Sequence, residues 1–297
     1  MVPQFIEPQF HAGELAAQQR ADIAPRGSAI RDAMPDQHRL FFAGLPFVFV
    51  ATTDDEGWPL ATMLTGVPGF VASPNAKTLH IEALPRADDP VAPWLRSGAP
   101  VGILGIDLAT RRRNRANGFV AGADMDGFTV SVRESFGNCA KYIHVRDVAF
   151  ERSVAQPTET MAMLDAAARA AITAADTVFV ATSGGEKGVD ISHRAGEAGF
   201  VQIDGNTLTV PDYAGNRYFN TLGNMLLDSR AALLFPDFAS GDLLLVQGRT
   251  DIVWDILPED RVNGAERLWR LTVNRAWRAR GAVPLRWTLR AMPTSPE

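Results

Sequence analysis

Apolar positions in this chain cluster in short runs separated by glycine, proline and acidic turns, a pattern of strands rather than long helices. Residues 47–53 read FVFVATT and end in the turn Asp54-Asp55-Glu56-Gly57; residues 58–66 and 69–73 continue as strands. Residues 99–107 form an almost unbroken apolar run, which predicts a buried strand. Further strands are predicted over 111–118, 127–132 and 139–148, and another through Leu268, Leu271 and Val273. Helical patterning is sparse. It covers 11–21, a stretch from Pro35 to about Phe42, a short segment at 88–98 begun by an Asp cap, and the alanine-rich 158–176. Residues 1–8 read as an extended arm.

The pattern occurs twice. Residues 48–52 read VFVAT and so do 178–182, an offset of 130. At that same offset Gly66 corresponds to Gly196, Phe70 to Phe200, Leu104 to Leu234, Asp107 to Asp237 and Gly118 to Gly248. A constant offset over this span predicts a tandem duplication. Two copies are too few for a solenoid, and short strands with regular turn signals predict a small barrel in each. The expected organisation is an N-terminal arm and helix at 1–34, a first barrel at 35–150 and a second barrel at 151–297, with 151–158 as linker. The helix at 158–176 then corresponds to the segment around 36–45.

Composition narrows the function. The 297 residues carry a net charge of -5, which disfavours nonspecific binding to nucleic acid or to an anionic membrane. The lysines are Lys77, Lys141 and Lys187; the other basic residues are arginines, which hold phosphate with a rigid fork. One cysteine, Cys139, excludes an internal disulfide, and with no visible secretory signal this fits the cytoplasm. Cys139 reads as a small packed residue. The five histidines show no metal-ligand spacing, and no dinucleotide fingerprint, phosphate loop or nucleophile elbow appears.

Candidate chemistry concentrates between Asp190 and Asn224. Ser192, His193 and Arg194 close one strand, and Asp212, Asn216, Arg217, Asn220 and Thr221 line a turn and the start of a helix. Donors and a fixed cation around a helix N-terminus suit a phosphate. Asn216 and Arg217 are the favoured ligands; Asn220 and Asn224 read equally as cap residues. By strand alternation His193 points away from Ser192 and Arg194, either toward a ligand or into packing, and it is the histidine placed to titrate near the site. The run Arg111-Arg112-Arg113-Asn114-Arg115 has two readings: an edge strand made soluble by charge, or a strand whose Arg115 reaches an anionic cofactor or substrate across the barrel interface. Trp277 and Trp287 read as core or lid.

These residues resemble the flavin-binding split-barrel family related to pyridoxamine 5'-phosphate oxidase. The resemblance rests on Ser192-His193-Arg194, on Pro211-Asp212-Tyr213-Ala214-Gly215-Asn216-Arg217, on Thr221-Leu222-Gly223-Asn224 and on Leu233-Leu234-Phe235. Two further family features fall in the first half, Arg115-Ala116-Asn117-Gly118 and Cys139-Ala140-Lys141. The resemblance implies a mainly β fold with some α, two tandem split barrels packed as an internal pseudo-dimer, and flavin mononucleotide (FMN) at their interface. It implies cofactor contacts from Ser192, His193, Arg194, Pro211, Asp212, Asn216, Arg217, Asn220 and Thr221 of the second barrel, and from Arg115, Asn117 and Lys141 of the first. The opposite site carries Thr62-Met63-Leu64 and Arg86-Ala87 at the matching positions and is expected to hold no flavin.

The expected activity is that of a flavin-dependent oxidoreductase acting on a small molecule, with NADH or NADPH as a visiting donor and a homodimer as the assembly. The vitamin B6 oxidase reaction itself is not expected: that enzyme has Ser-Arg-Lys beside the flavin phosphate where this chain has Asn216-Arg217-Tyr218. The alternatives are a flavin carrier or sensor without turnover, a split barrel that binds haem or deazaflavin, and a barrel interaction module with no chromophore.

Overall fold

The computed structural model describes residues 10–24 and 28–290. The proposed arm at 1–8 lies outside them. Helix α1 (Ala12–Arg20) is followed by α2 (Asp36–Ala43) and by seven strands: β1 (Phe47–Thr53), β2 (Pro59–Thr65), β3 (Val71–Asn75), β4 (Thr78–Ile81), β5 (Pro100–Asp107), β6 (Arg112–Ala123) and β7 (Phe128–Gly137). They form one antiparallel sheet in the order β2-β1-β5-β6-β7-β4-β3. After β8 (Arg146–Phe150), β9 (Glu159–Met161) and α3 (Ala166–Ala174), the pattern recurs. The later strands are β10 (Thr177–Ser183), β11 (Val189–Ala195), β12 (Gln202–Asp204), β13 (Thr207–Tyr213), β14 (Arg230–Pro236), β15 (Leu243–Val253) and β16 (Ala265–Ala279). Their order, β11-β10-β14-β15-β16-β13-β12, is that of the first sheet strand for strand, with β9 added on β16.

Register repeats as well as order. Phe49 pairs with Leu104 and Val50 with Thr62; 130 residues on, Phe179 pairs with Leu234 and Val180 with Ser192. The offset thus preserves which side chains face inward, since a one-residue slip would turn every one of them over. The halves pack about an approximate two-fold axis. Phe49 and Phe179 are equivalent positions, and their buried rings stack on each other at 3.5 Å. A residue that touches its own counterpart marks such an axis. One continuous buried cluster runs through both halves and includes Phe49, Ile103 and Leu104 with Phe179, Ile191 and Leu234.

Several local expectations change. The segment at 88–98 makes only a 3₁₀ turn, Ala92–Trp94, because Pro90 and Pro93 interrupt it; Asp89 does accept from the Val91 N–H. The strand expected over 139–148 is a loop followed by β8, with Tyr142 in a left-handed conformation (φ 65°). Cys139 is exposed in that loop rather than packed. The arginine run is not an edge: β6 lies in the middle of its sheet, between β5 and β7. Trp277 lies in β16 and Trp287 in β17 (Leu285–Leu289), which pairs with β8 as a two-stranded ribbon.

Helix α1 crosses to the other half and packs on α4 (Asn220–Leu227). Glycines set the distance. A Cβ on Gly13 would lie 2.1 Å from the Gly223 carbonyl oxygen, and one on Gly223 would lie 2.6 Å from the Glu14 backbone. Only glycine permits that approach.

Candidate functional site

The end of β11, the β13–α4 turn and the first-half strand β6 converge on one cleft. The cleft holds about 90 Å³. Five arginines line it (Arg113, Arg115, Arg194, Arg217 and Arg267) against two carboxylates, Asp212 and Glu266. The excess of cations suits an anion.

Arg115 reaches across the interface from β6, and its partners there are groups of the protein. Its guanidinium donates to the Ile191 carbonyl at 2.9 Å and to Ser192 Oγ at 2.6 Å, contacts Asn138 Oδ1, and pairs with Asp190 Oδ1 at 2.9 Å. Ser192 Oγ in turn donates to Asp190 Oδ2 at 2.9 Å, and Asn117 donates to Asp190 Oδ1 at 3.1 Å. Asp190 is therefore the hub that joins the halves. The Ser192 proton is spent on it, which leaves Ser192 an orienting residue for Arg115.

His193 is buried, with its ring edge on Phe179 at 5.4 Å. Its Nδ1 lies 2.8 Å from Arg113 Nη1; an arginine can only donate, so Nδ1 accepts and the ring proton sits on Nε2. Burial, helped by the Arg113 and Arg194 charges, holds His193 well below its ordinary value, so it is neutral and does not titrate near pH 7 as the sequence had suggested. Burial and the neighbouring Arg115 and Arg194 bring Arg113 down to about 10, still charged at neutral pH.

The turn into α4 is strained. Arg217 and Phe219 both have left-handed backbones (φ 62° and 61°), and Phe219 at the N-cap gives α4 no side-chain cap. With Tyr142, three of the described non-glycine residues with positive φ surround this cleft. Such strain concentrates at functional sites. Arg217 stays half-exposed, 3.9 Å from Glu266. Arg194 lies 3.7 Å from Asp212, whose shorter bond, 2.9 Å, goes to Arg267. Asp212 thus holds arginines in place; burial raises its carboxyl, opposed by Arg194 and Arg267.

Four buried polar atoms at this cleft have no protein partner among the described residues: Arg113 Nε, His193 Nε2, Arg194 Nε and Thr221 Oγ1. Three are donors and the fourth is a hydroxyl able to donate, and all belong to residues that line the cleft with the uncapped start of α4. A phosphate at the helix N-terminus supplies what they lack, so the residues present fit the tail of a flavin nucleotide.

Of the other expected ligands, Asn216 and Asn220 line the cleft, and Pro211, Asn117 and Lys141 do not. Pro211 is buried in β13 opposite Leu268, outside the cleft. Lys141 is exposed and does not line the cleft, whereas Tyr142 beside it does; the Tyr142 ring stacks on Tyr213 at 5.4 Å. Asn117 serves Asp190. Asn216 Oδ1 accepts from the Tyr218 N–H at 3.1 Å, and Asn220 donates to Glu14 of α1. Asn224 donates to Thr182 Oγ1 at 3.0 Å and accepts from His11 at 2.8 Å. Arg113, Asn138, Tyr142, Phe219 and Arg267 were not singled out from sequence; Arg113 shares a strand face with Arg115, a signal that alternation carries.

At the opposite, first-half position the counterparts of Arg113 and Arg115 are Leu243 and Leu245. They lie in the same buried cluster as Met63, Val91, Val283 and Trp287. Apolar side chains thus stand there in place of the two arginines.

Residues 164–278 match the sequence model of the family described as pyridoxamine 5'-phosphate oxidase. The match lies within the second half of the chain. No curated protein matches the chain. Solved structures similar to it include a protein from Clostridium acetobutylicum related to general stress protein 26 of the pyridoxinephosphate oxidase family, at 13% identity, covering 41% of this chain and 92% of that one with a TM-score of 0.33. An FAD-binding protein from Mesorhizobium loti is 12% identical over 41% of this chain and 96% of its own, with a TM-score of 0.31. The haem storage protein HutZ from Vibrio cholerae is 11% identical over 40% and 95%, with a TM-score of 0.29. No helix among the described residues is long and apolar enough to cross a membrane.

Proposed function

We infer that the chain is an FMN-dependent oxidoreductase of the pyridoxamine 5'-phosphate oxidase-related class, with one flavin per chain between its halves. The observation that carries this reading is the set of orphaned donors of Arg113, His193, Arg194 and Thr221 in one cleft with the uncapped N-terminus of α4. The second half supplies Arg194, Arg217, Thr221 and the free N–H groups of α4 for the phosphate. The first half supplies Arg113, and Arg115 fixes the strand end through Ser192 and Asp190. The cleft, at about 90 Å³, lies below the roughly 300–1,000 Å³ usual for whole ligands and suits the phosphate end of the cofactor. When bound, the flavin would supply hydride exchange at its ring, so the protein's task is anchoring and orientation. A neutral His193 that presents Nε2–H is a donor to the bound group, not a general base.

The test is an absorbance spectrum of the protein with FMN after gel filtration, followed by anaerobic addition of NADH or NADPH. Flavin bands that stay with the protein and bleach on donor addition support an oxidoreductase. Bands that stay but never bleach with any donor reduce the reading to a carrier. Failure to hold FMN, with retention of haem or a deazaflavin, moves the anion site to another cofactor.

A further inference from the structure

A larger cavity lies away from this cleft and shares no residue with it. It is a groove of about 890 Å³ on the first half, between α2, the β2–β3 turn and the β8–β17 ribbon. Its lining includes Leu45, Phe47, Ile106, Leu285 and Trp287. At its rim Leu40, Val67 and Phe150 are 75%, 81% and 71% exposed. Apolar side chains that open to water around a groove of this volume mark a binding site.

Charge says what the occupant carries. Arg112 lines the groove, exposed, with its guanidinium 5.2 Å from the centre of the Phe41 ring, and it has no ion pair among the described residues. A second cation, Arg146, is buried in the wall; one nitrogen pairs with Asp176 at 2.5 Å, and Nη1 has no partner among the described residues. The one carboxylate in the lining, Asp107, is taken up locally: it accepts from the Ala109 N–H at 3.0 Å and from Thr110 Oγ1 at 2.5 Å.

The duplication supplies an internal comparison. The matching groove of the second half is smaller, about 570 Å³, and carries Ala170, Ala171 and Ala175 where the first has Leu40, Phe41 and Leu45. The counterpart of Arg112 is Asp242, which accepts from the Gly281 N–H at 2.7 Å and so has a structural use. The first half has in its place a cation with no such use. We propose that this groove binds an amphipathic carboxylate, its hydrocarbon chain along Phe41, Phe47 and Trp287 and its carboxylate on Arg112.

The test is calorimetric titration of the full chain with dodecanoate, dodecanol and dodecyltrimethylammonium below their micellar concentrations, on wild type, Arg112→Glu and Arg112→Gln. Arg112 is exposed, so neither change should disturb folding, and thermal melts check that. Expected are one dodecanoate per chain, binding at least tenfold tighter than dodecyltrimethylammonium, a loss of tenfold or more for dodecanoate in Arg112→Glu, a smaller loss in Arg112→Gln, and little change for dodecanol. Equal binding of the carboxylate and the ammonium, or no binding of any amphiphile, would overturn the proposal. So would a wild-type dimer that excludes dodecanoate and dissociates on Phe150→Glu, because a second copy would then be the occupant.

Discussion

Glu14 offers the sharpest quantitative test of how α1 is held. It is the N3 residue of a capping box, accepts the His11 N–H at 2.9 Å, contacts Asn220 at the first turn of α4, and is only 3% exposed. Burial pushes its carboxyl up, helped by the Glu134 and Asp190 charges and opposed by the His11 and Asn220 donors, to about 7 against an ordinary 4.5. His11, 3.5 Å away, gives no compensating cation: burial lowers it, and its Nδ1 accepts from the Gly13 N–H while Nε2 donates to Asn224. Lys187, which lines the same small pocket as Glu14, sits 3.5 Å from Glu134. The folded state therefore keeps a proton that the unfolded chain has released. Its contribution is fully present below pH 4.5 and is lost as pH rises through about 7, a fall of roughly 3 kcal/mol. Glu14→Gln removes that titration. In urea melts from pH 4.5 to 8.5, wild type should lose roughly 3 kcal/mol relative to Glu14→Gln, nearly all of it by pH 8. Asp89, raised by burial to about 6, pulls in the same direction in both proteins and cancels in the difference. Parallel stability curves for the two proteins would refute the reasoning.

Other predictions follow from single contacts. Gly13→Ala or Gly223→Ala forces α1 off α4; urea melts should show a loss of about 1–3 kcal/mol even though alanine favours a helix. Arg115→Leu strands the buried Asp190 and should cost about 3–5 kcal/mol. The second half places Leu245 and the first half Leu60 at the corresponding positions, so adding Asp190→Leu should restore most of that loss in the same melts. Thr221→Val deletes a buried hydroxyl that has no partner among the described residues. Without flavin the variant should melt no lower than wild type, while FMN binding, followed by fluorescence quenching, should weaken up to about tenfold. Phe49→Ala opens a cavity where the two halves meet on their axis and should cost about 3–5 kcal/mol by the same melts.

The duplication was readable because register preserves sequence offset: Phe49 and Phe179 stand 130 apart and each pairs with a leucine that also stands 130 apart. The anion cleft was half readable. Arg194, Arg217 and Thr221 lie close in sequence, so local pattern brought them together. Arg113, Asn138 and Tyr142 reach the cleft from the other half, and no spacing rule reports contacts of that separation. Side-chain commitments were invisible for the same reason. Asn220 appeared available as a ligand until α1, about two hundred residues earlier, placed Glu14 against it. Pro211 and Lys141 sit inside motif segments, but the strand pairing of one and the exposure of the other keep them from the cleft.

The central claim is that one flavin is held jointly by both halves. A fluorescence titration of FMN against wild type, Arg113→Ala and Arg217→Ala tests it most directly. The account predicts one FMN per chain and at least tenfold weaker binding in each variant, because each removes a cation from a different half. Two flavins per chain, or full affinity after Arg113→Ala, would contradict it.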